Sequence, residues 1–235
     1  MDDSELIDSL HSDVATVIDV VRFAPGEPVP SCPGWNVADL VNHHGGVLRW
    51  ATQIVEAGEP VLKEFPGPAD ATELVDWYSA GAAGFVDVVR SVDRDRACWT
   101  FGRPPAKAWF WTRRQALEAA IHRWDAEVAV GRPGDLLRGI ASLGITEVVE
   151  DLFPRQVALQ RTAGLSAAVS LQATDTNECW VLGSEGSDEP VAAMTASAAV
   201  LLLLLWGRTT LDDGRVNYLG PPQLHEEIRT ARFAP

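Results

Sequence analysis

Cysteine is scarce in this 235-residue chain and badly placed for cross-linking. Cys32, Cys98 and Cys179 are odd in number and far apart, with no Cys-x-x-Cys pair, so neither a disulfide framework nor a thiolate zinc site is indicated and a reducing cytoplasm fits. Lysine is nearly missing: of 19 basic residues only Lys63 and Lys107 are lysines, which leaves 17 arginines, a bias we assign to genomic base composition. Positive charge as a whole is short, 19 basic against 33 acidic residues, and the net charge of −14 repels phosphate backbones, so no nucleic-acid partner is expected. No membrane-spanning run is present either. The longest apolar stretch, Val191 to Trp206, contains Thr195 and Ser197, ends in Gly207-Arg208 and falls short of the ~20 residues a span needs, so it reads as a buried helix. The start, Met1-Asp2-Asp3-Ser4-Glu5, lacks the basic opening and apolar core of a signal peptide.

What is present describes a globular protein. A hydrophobic fraction of 46% supplies a core, and the length suits one large domain or two smaller ones. Apolar residues Leu6, Ile7, Leu10, Val14, Val17, Ile18 and Val21 recur at helical spacing and predict an amphipathic helix from Ser4 to Phe23, closed by Pro25, Gly26, Pro28 and Pro30. Asn36, with Asp39 three residues on, has the pattern of an N-cap, opening a second helix that runs to Gly58. A third is expected from Ala71 to Val92 and a fourth from Trp109 to Val130, joined by a connection, Asp93 to Ala108, long enough to suggest a functional loop. A fifth spans Gly139 to Phe153. The texture then changes: 167–173, 179–182 and 191–195 read as strands, followed by helices at 197–206 and 222–232. Helices first and a strand-rich segment after imply two domains, 1–157 and 158–235, a helical bundle and a small α+β domain.

The second and fourth helices carry the chemistry. Glu118 and His122 stand four residues apart, one turn apart on a shared face, which suits two ligands of one metal ion. Both border the apolar stripe of Leu117, Ile121, Trp124 and Val128, so the carboxylate needs a partner: Arg113, Arg114 or Arg123 in the simple case, a metal shared with His122 in the other. On the second helix His43 falls on the inward face with Leu40, Val47 and Trp50, and His44 towards the edge. His43 is either a ligand or a histidine bonded to Asp39. The following Gly45-Gly46 costs about 1 kcal/mol per glycine in a helix interior, so either a neighbouring helix comes close or a ligand needs room. Two histidines and one carboxylate without a fourth protein ligand are the pattern of a catalytic metal site that keeps positions open. Asp125, three residues past His122, is placed either to orient its imidazole or to pair with Arg123 or Arg132.

Two blocks of this chain resemble a known family. Pro33-Gly34-Trp35-Asn36-Val37-Ala38-Asp39-Leu40-Val41-Asn42-His43 with Gly45-Gly46-Val47-Leu48-Arg49-Trp50-Ala51, and later Arg113 to Glu127 around Glu118-x-x-x-His122-Arg123-Trp124-Asp125, are similar to the signature of the mycothiol-dependent maleylpyruvate isomerase family. Leu171-Gln172-Ala173-Thr174-Asp175, Trp180-Val181 and Leu202 to Arg208 resemble its smaller domain. The resemblance implies a DinB-like four-helix bundle that binds metal, followed by an α+β domain similar to sterol-carrier proteins. It implies His43, Glu118 and His122 as ligands, zinc as the metal and mycothiol as thiol cosubstrate. With these it implies a cytoplasmic enzyme in which a metal-held thiolate attacks a small electrophile, whether to isomerise a cis unsaturated diacid or to transfer the thiol. A diacid would need cations, for which Arg49, Arg113 and Arg208 are available. The contrasting reading is a non-catalytic metal- or thiol-binding sensor module with the same fold.

Overall fold

The computed structural model describes residues 1–62, 65–183 and 189–235. The chain divides into two compact units, Met1–Thr100 with Pro104–Asp135, and Leu136–Pro235 with Phe101–Arg103.

The first unit is built on four helices: α1 (Asp3–Phe23), α2 (Val37–Ala57), α3 (Ala71–Ser91) and α4 (Trp109–Ala129). Two of them start on reciprocal caps. Asp2 accepts from the backbone N–H of Glu5 while Glu5 accepts from that of Asp2, and Asn36 and Asp39 do the same for α2, each pairing two of the donors a helix start leaves over. α1 packs chiefly on α4 and α2 on α3. The core they enclose includes Leu10, Leu40, Leu48, Ile54, Leu74, Tyr78, Phe85, Trp111, Leu117 and Ile121. Gly45 is explained by this packing, because a Cβ there would stand 2.2 Å from the Trp77 ring of α3, and one on Gly46 would stand 2.9 Å from the Phe65 carbonyl oxygen. The glycines let α3 and the preceding loop close on α2.

α4 differs from its neighbours. It is enclosed nearly all round, and Arg114, Gln115, Glu118, His122, Arg123 and Asp125 are buried along it. Charged residues are rarely buried without partners. One partnership ties the helix to α1: the Arg123 Nε donates to Asp13 at 3.1 Å, and its other nitrogens reach Glu127 and the Asp135 carbonyl at 2.5 and 2.9 Å. Burial pushes the Asp13 carboxyl up to about 6 against the pull of Arg123, so the folded state holds a proton there that the unfolded chain, with a value near 4, has lost. Stability should therefore fall as pH rises from about 4 to about 6, by on the order of 3 kcal/mol from this group. Unfolding midpoints over pH 4–7 should show that slope, and Asp13→Asn should flatten it; equal slopes would discount the group.

The second unit opens with α5 (Arg138–Glu147), which continues through a π-helical turn (Val148–Leu152) into α6 (Phe153–Ala158). The sequence places the stop at Phe153, before Pro154. The π turn, closed by the Phe153 N–H on the Val148 carbonyl, is what carries the helix past a proline that has no N–H to donate. Four strands follow, β1 (Val169–Ala173), β2 (Cys179–Leu182), β3 (Ala192–Ala196) and β4 (Asn217–Leu219), in the order β2-β1-β3-β4. β1 runs parallel to β3, and the other pairs are antiparallel. β4 is missing from the sequence expectation because three residues are too few to show alternation. α7 (Ala198–Leu205) lies between β1 and β3 on one side and α5 on the other, which is why its leucines are buried all round. α8 (Pro222–Thr230) completes the unit.

The expected domain boundary between 157 and 158 is displaced to 135/136. The fifth helix belongs with the sheet, since Gly144 sits close against Leu202, Ser142 donates to Glu178, and Trp180 donates to Thr146 at 2.8 Å. The helical pattern of α5 shows that it is a helix but not which layer it covers. No described helix is long and apolar enough to cross a membrane.

Candidate metal centre

Glu118 and His122, on adjacent turns of α4, meet His43 of α2 in the first unit. The Glu118 Oε1 is 3.7 Å from the His43 Nε2 and 3.7 Å from the His122 Nε2, and the three atoms all lie within 4.8 Å of one another. At 3.7 Å neither imidazole is hydrogen-bonded to the carboxylate, so the three donors face a common point without satisfying each other. Ligand atoms of one four-coordinate ion stand about 3.4 Å apart, and an N, N, O set of this kind suits zinc or a similar divalent cation. The residues fit such an ion. The His43 side chain is 32% exposed against 11% for Glu118 and 6% for His122, so the cluster opens on the His43 side.

Each ligand on α4 is held by a second side chain. The Arg114 Nη2 lies 3.1 Å from Glu118 Oε2, which leaves Oε1 for the centre. Burial alone would raise the Glu118 carboxyl, yet the Arg114 charge and the two imidazoles outweigh it and hold it well below the usual carboxylate range. Asp125, fully buried, takes the His122 Nδ1 at 3.1 Å and accepts from the Ser31 hydroxyl at 2.6 Å. A carboxylate can only accept here, so Nδ1 carries a proton and Nε2 is the ring nitrogen turned to the cluster. Burial works to lower the His122 value, but Asp125 and Glu118 together raise it.

The sequence reading assigns the two adjacent histidines the wrong depths. His44, expected at the edge, is 1% exposed, whereas His43 is half-buried. The His44 ring lies between α3 and α4, with Nδ1 2.7 Å from the Tyr78 hydroxyl and its centroid 5.5 Å from that of His122. Burial, then the charge of His122, pushes it down to about 3, so it is neutral. Nor does Asp39 bond His43, because that carboxylate caps α2 at the Asn36 N–H; the ring of His43 instead packs against Trp35 at 4.9 Å. Sequence periodicity locates a helical face only to within a residue, and two neighbouring histidines 100° apart straddled the line.

The candidate arginines have contacts of their own. Arg49 lies on the Trp77 ring at 3.9 Å and donates to the Trp77 and Gly45 carbonyls at 2.5 and 3.3 Å, within the α2–α3 contact. Arg113 faces the rings of Trp109 and Phe110. Arg208 belongs to the second unit. It follows Gly207, whose left-handed backbone ends α7, and it donates to the Trp206 carbonyl at 2.7 Å. Ser31 and Tyr78 are the members of the network that the sequence reading passes over. A hydroxyl in a loop and one on a core stripe carry no spacing signal towards a site 94 or 34 residues away.

Comparison with known proteins gives the family and the fold. The family model described as the mycothiol maleylpyruvate isomerase N-terminal domain matches residues 8–127, and that described as the MDMPI C-terminal domain matches 140–227. No curated protein matches the chain. Two solved structures share the fold over 93% of each chain: a mutant of the mycothiol-dependent maleylpyruvate isomerase, at a TM-score of 0.70 and 12% identity, and the mycothiol-dependent maleylpyruvate isomerase itself, at 0.64 and 15%.

Proposed function

The chain belongs to the mycothiol maleylpyruvate isomerase family, and from that premise we propose that it is a mycothiol-dependent metalloenzyme acting on a small electrophile. The observation that carries the reading is the convergence of His43, Glu118 and His122, unbonded to one another, at one opening of the bundle. A divalent cation at this point, zinc by the donor set, would lower the pKa of a thiol enough to keep it as thiolate at neutral pH.

The chain's own residues supply the rest. His43, Glu118 and His122 would be the ligands, and no fourth protein ligand joins them among the described residues. Arg114 keeps Glu118 ionised and presents one of its oxygens. Asp125 holds a proton on the His122 Nδ1 and so aims Nε2 at the centre. Reversible addition of the cosubstrate thiol to a cis double bond, with rotation before it leaves, isomerises a maleylpyruvate-type diacid; retention of the new C–S bond gives transfer instead. The substrate carboxylates call for cations, and we assign Arg208 and Arg49 to that role. Arg49→Ala and Arg208→Ala are the variants expected to raise KM.

Zinc should raise the melting temperature of the protein, since a ligand at a hundred times its Kd adds about 2.7 kcal/mol. With zinc and mycothiol present, maleylpyruvate should be converted to its trans isomer, and omission of either should stop the reaction. A melting temperature indifferent to zinc would remove the metal site. Zinc binding without isomerisation or conjugation across a panel of electrophiles would leave a non-catalytic binding module.

A further inference from the structure

The loop between α1 and α2 touches the cluster from two sides. Ser31 donates to Asp125 Oδ1 at 2.6 Å, and the other oxygen of the same carboxylate holds the His122 Nδ1. Four residues on, Trp35 packs its ring on that of His43, with centroids 4.9 Å apart and planes tilted by 49°. One loop thus reaches a ligand on α4 and a ligand on α2, neither of which belongs to the loop itself.

The loop is built to hold that position. The Val29 N–H donates to the Trp35 carbonyl, the Trp35 N–H to the Cys32 carbonyl and the Cys32 N–H to the Val29 carbonyl, at 2.9 to 3.0 Å. Its ends are tied by the Val37 N–H on the Glu27 carbonyl and the Ala38 N–H on the Pro25 carbonyl. Pro28, Pro30 and Pro33 remove backbone freedom between those bonds. Val29 is buried at 2% exposure and anchors the loop to the core. Ser31 and Trp35 are therefore presented at a fixed separation.

Asp125 is the link between the loop and His122. It is a carboxylate with no solvent exposure, and rotation about its terminal torsion would turn the oxygen away from His122. A short hydroxyl bond to Oδ1 fixes the carboxylate plane and so the oxygen offered to the imidazole. Trp35 limits rotation of the half-exposed His43 ring in the same sense, by occupying the space on one side of it.

We infer that Ser31 and Trp35 make the α1–α2 loop a positioning element of the metal centre, aligning the His122 and His43 imidazoles without touching the ion or the substrate. The inference rests on the proposed metal site. Partners of this kind typically contribute 10- to 100-fold to metal affinity.

The test is metal affinity, read by competition with a chromogenic chelator, together with the visible absorption of the cobalt-substituted protein. Ser31→Ala should weaken zinc binding about tenfold or more and alter the cobalt band, and Ser31→Thr, which keeps the hydroxyl, should restore both. Trp35→Ala should weaken binding and Trp35→Phe should largely preserve it. The melting temperature of the metal-free protein separates positioning from folding. A loop that only stabilised the fold would lower that temperature and leave affinity and spectrum as they are, which would overturn the inference, as would unchanged affinity in both alanine variants. Failure of the unaltered protein to bind zinc would instead overturn the metal site itself.

Discussion

Glu118→Gln is expected to weaken zinc binding by more than ~100-fold and to abolish thiol-dependent turnover, since losing a ligand exceeds the effect of losing a ligand's partner. The substitution keeps the side-chain volume and an oxygen for Arg114, which stands 3.1 Å from the carboxylate. It removes the charge that faces the two Nε2 atoms at 3.7 Å. Metal-free stability should also fall, because the substitution removes the carboxylate paired with the buried Arg114 guanidinium. Competition titration beside the unaltered protein reads the first effect and circular dichroism the second. Affinity within a few-fold of the original would take Glu118 out of the ligand set. A variant that loses its helical signal would call for the same titration on Glu118→Asp, which keeps the charge but shortens its reach.

The largest stability effect is expected at Trp111. Its ring is fully buried, crosses those of Trp50 and Phe110 nearly at right angles, stacks on Trp99 and donates to the Trp99 carbonyl at 2.8 Å. Trp111→Ala should cost about 3–5 kcal/mol from lost burial and the cavity left behind, with a further ~1 kcal/mol for the carbonyl it abandons. At a urea sensitivity of about 2 kcal/mol per molar, the unfolding midpoint followed by circular dichroism should fall by about 2–3 M. Trp111→Phe should lose less than half of that. A midpoint shifted by under 0.5 M in the alanine variant would mean that the aromatic cluster of Trp50, Trp99, Phe110 and Trp111 does not hold the start of α4.

These two residues show how differently structure is written in the chain. Trp111 lies beside the connection, Asp93 to Ala108, that reads as a functional loop; within it the Cys98 N–H meets the Ala106 carbonyl and the Trp99 carbonyl receives the indole, which makes it part of the α4 anchor. Glu118 was legible from its spacing to His122, because a helix converts four residues into one turn whatever surrounds it. His43 was legible as a histidine near an inward face. That it and not His44 opens to solvent depends on where α3 places Tyr78 and Trp77, which no local pattern records.

The same division runs through the whole chain. Local chemistry determined the starts of α1 and α2, through the Asp2–Glu5 and Asn36–Asp39 caps, and the helical character of α1 to α4 through the 3.6-residue stripes, and it determined that α7 is buried. It also brought Glu118 and His122 to one face. The tertiary structure alone decided that α5 belongs with the sheet, that β4 exists, that Gly45 admits Trp77, and that Ser31 reaches Asp125. The physical reason is range. Caps, turns and periodicity are interactions between residues a few positions apart, whereas the depth of His44, the aim of His122 and the layer covered by α5 are set by contacts between segments tens of residues apart, each satisfied only once the others are in place.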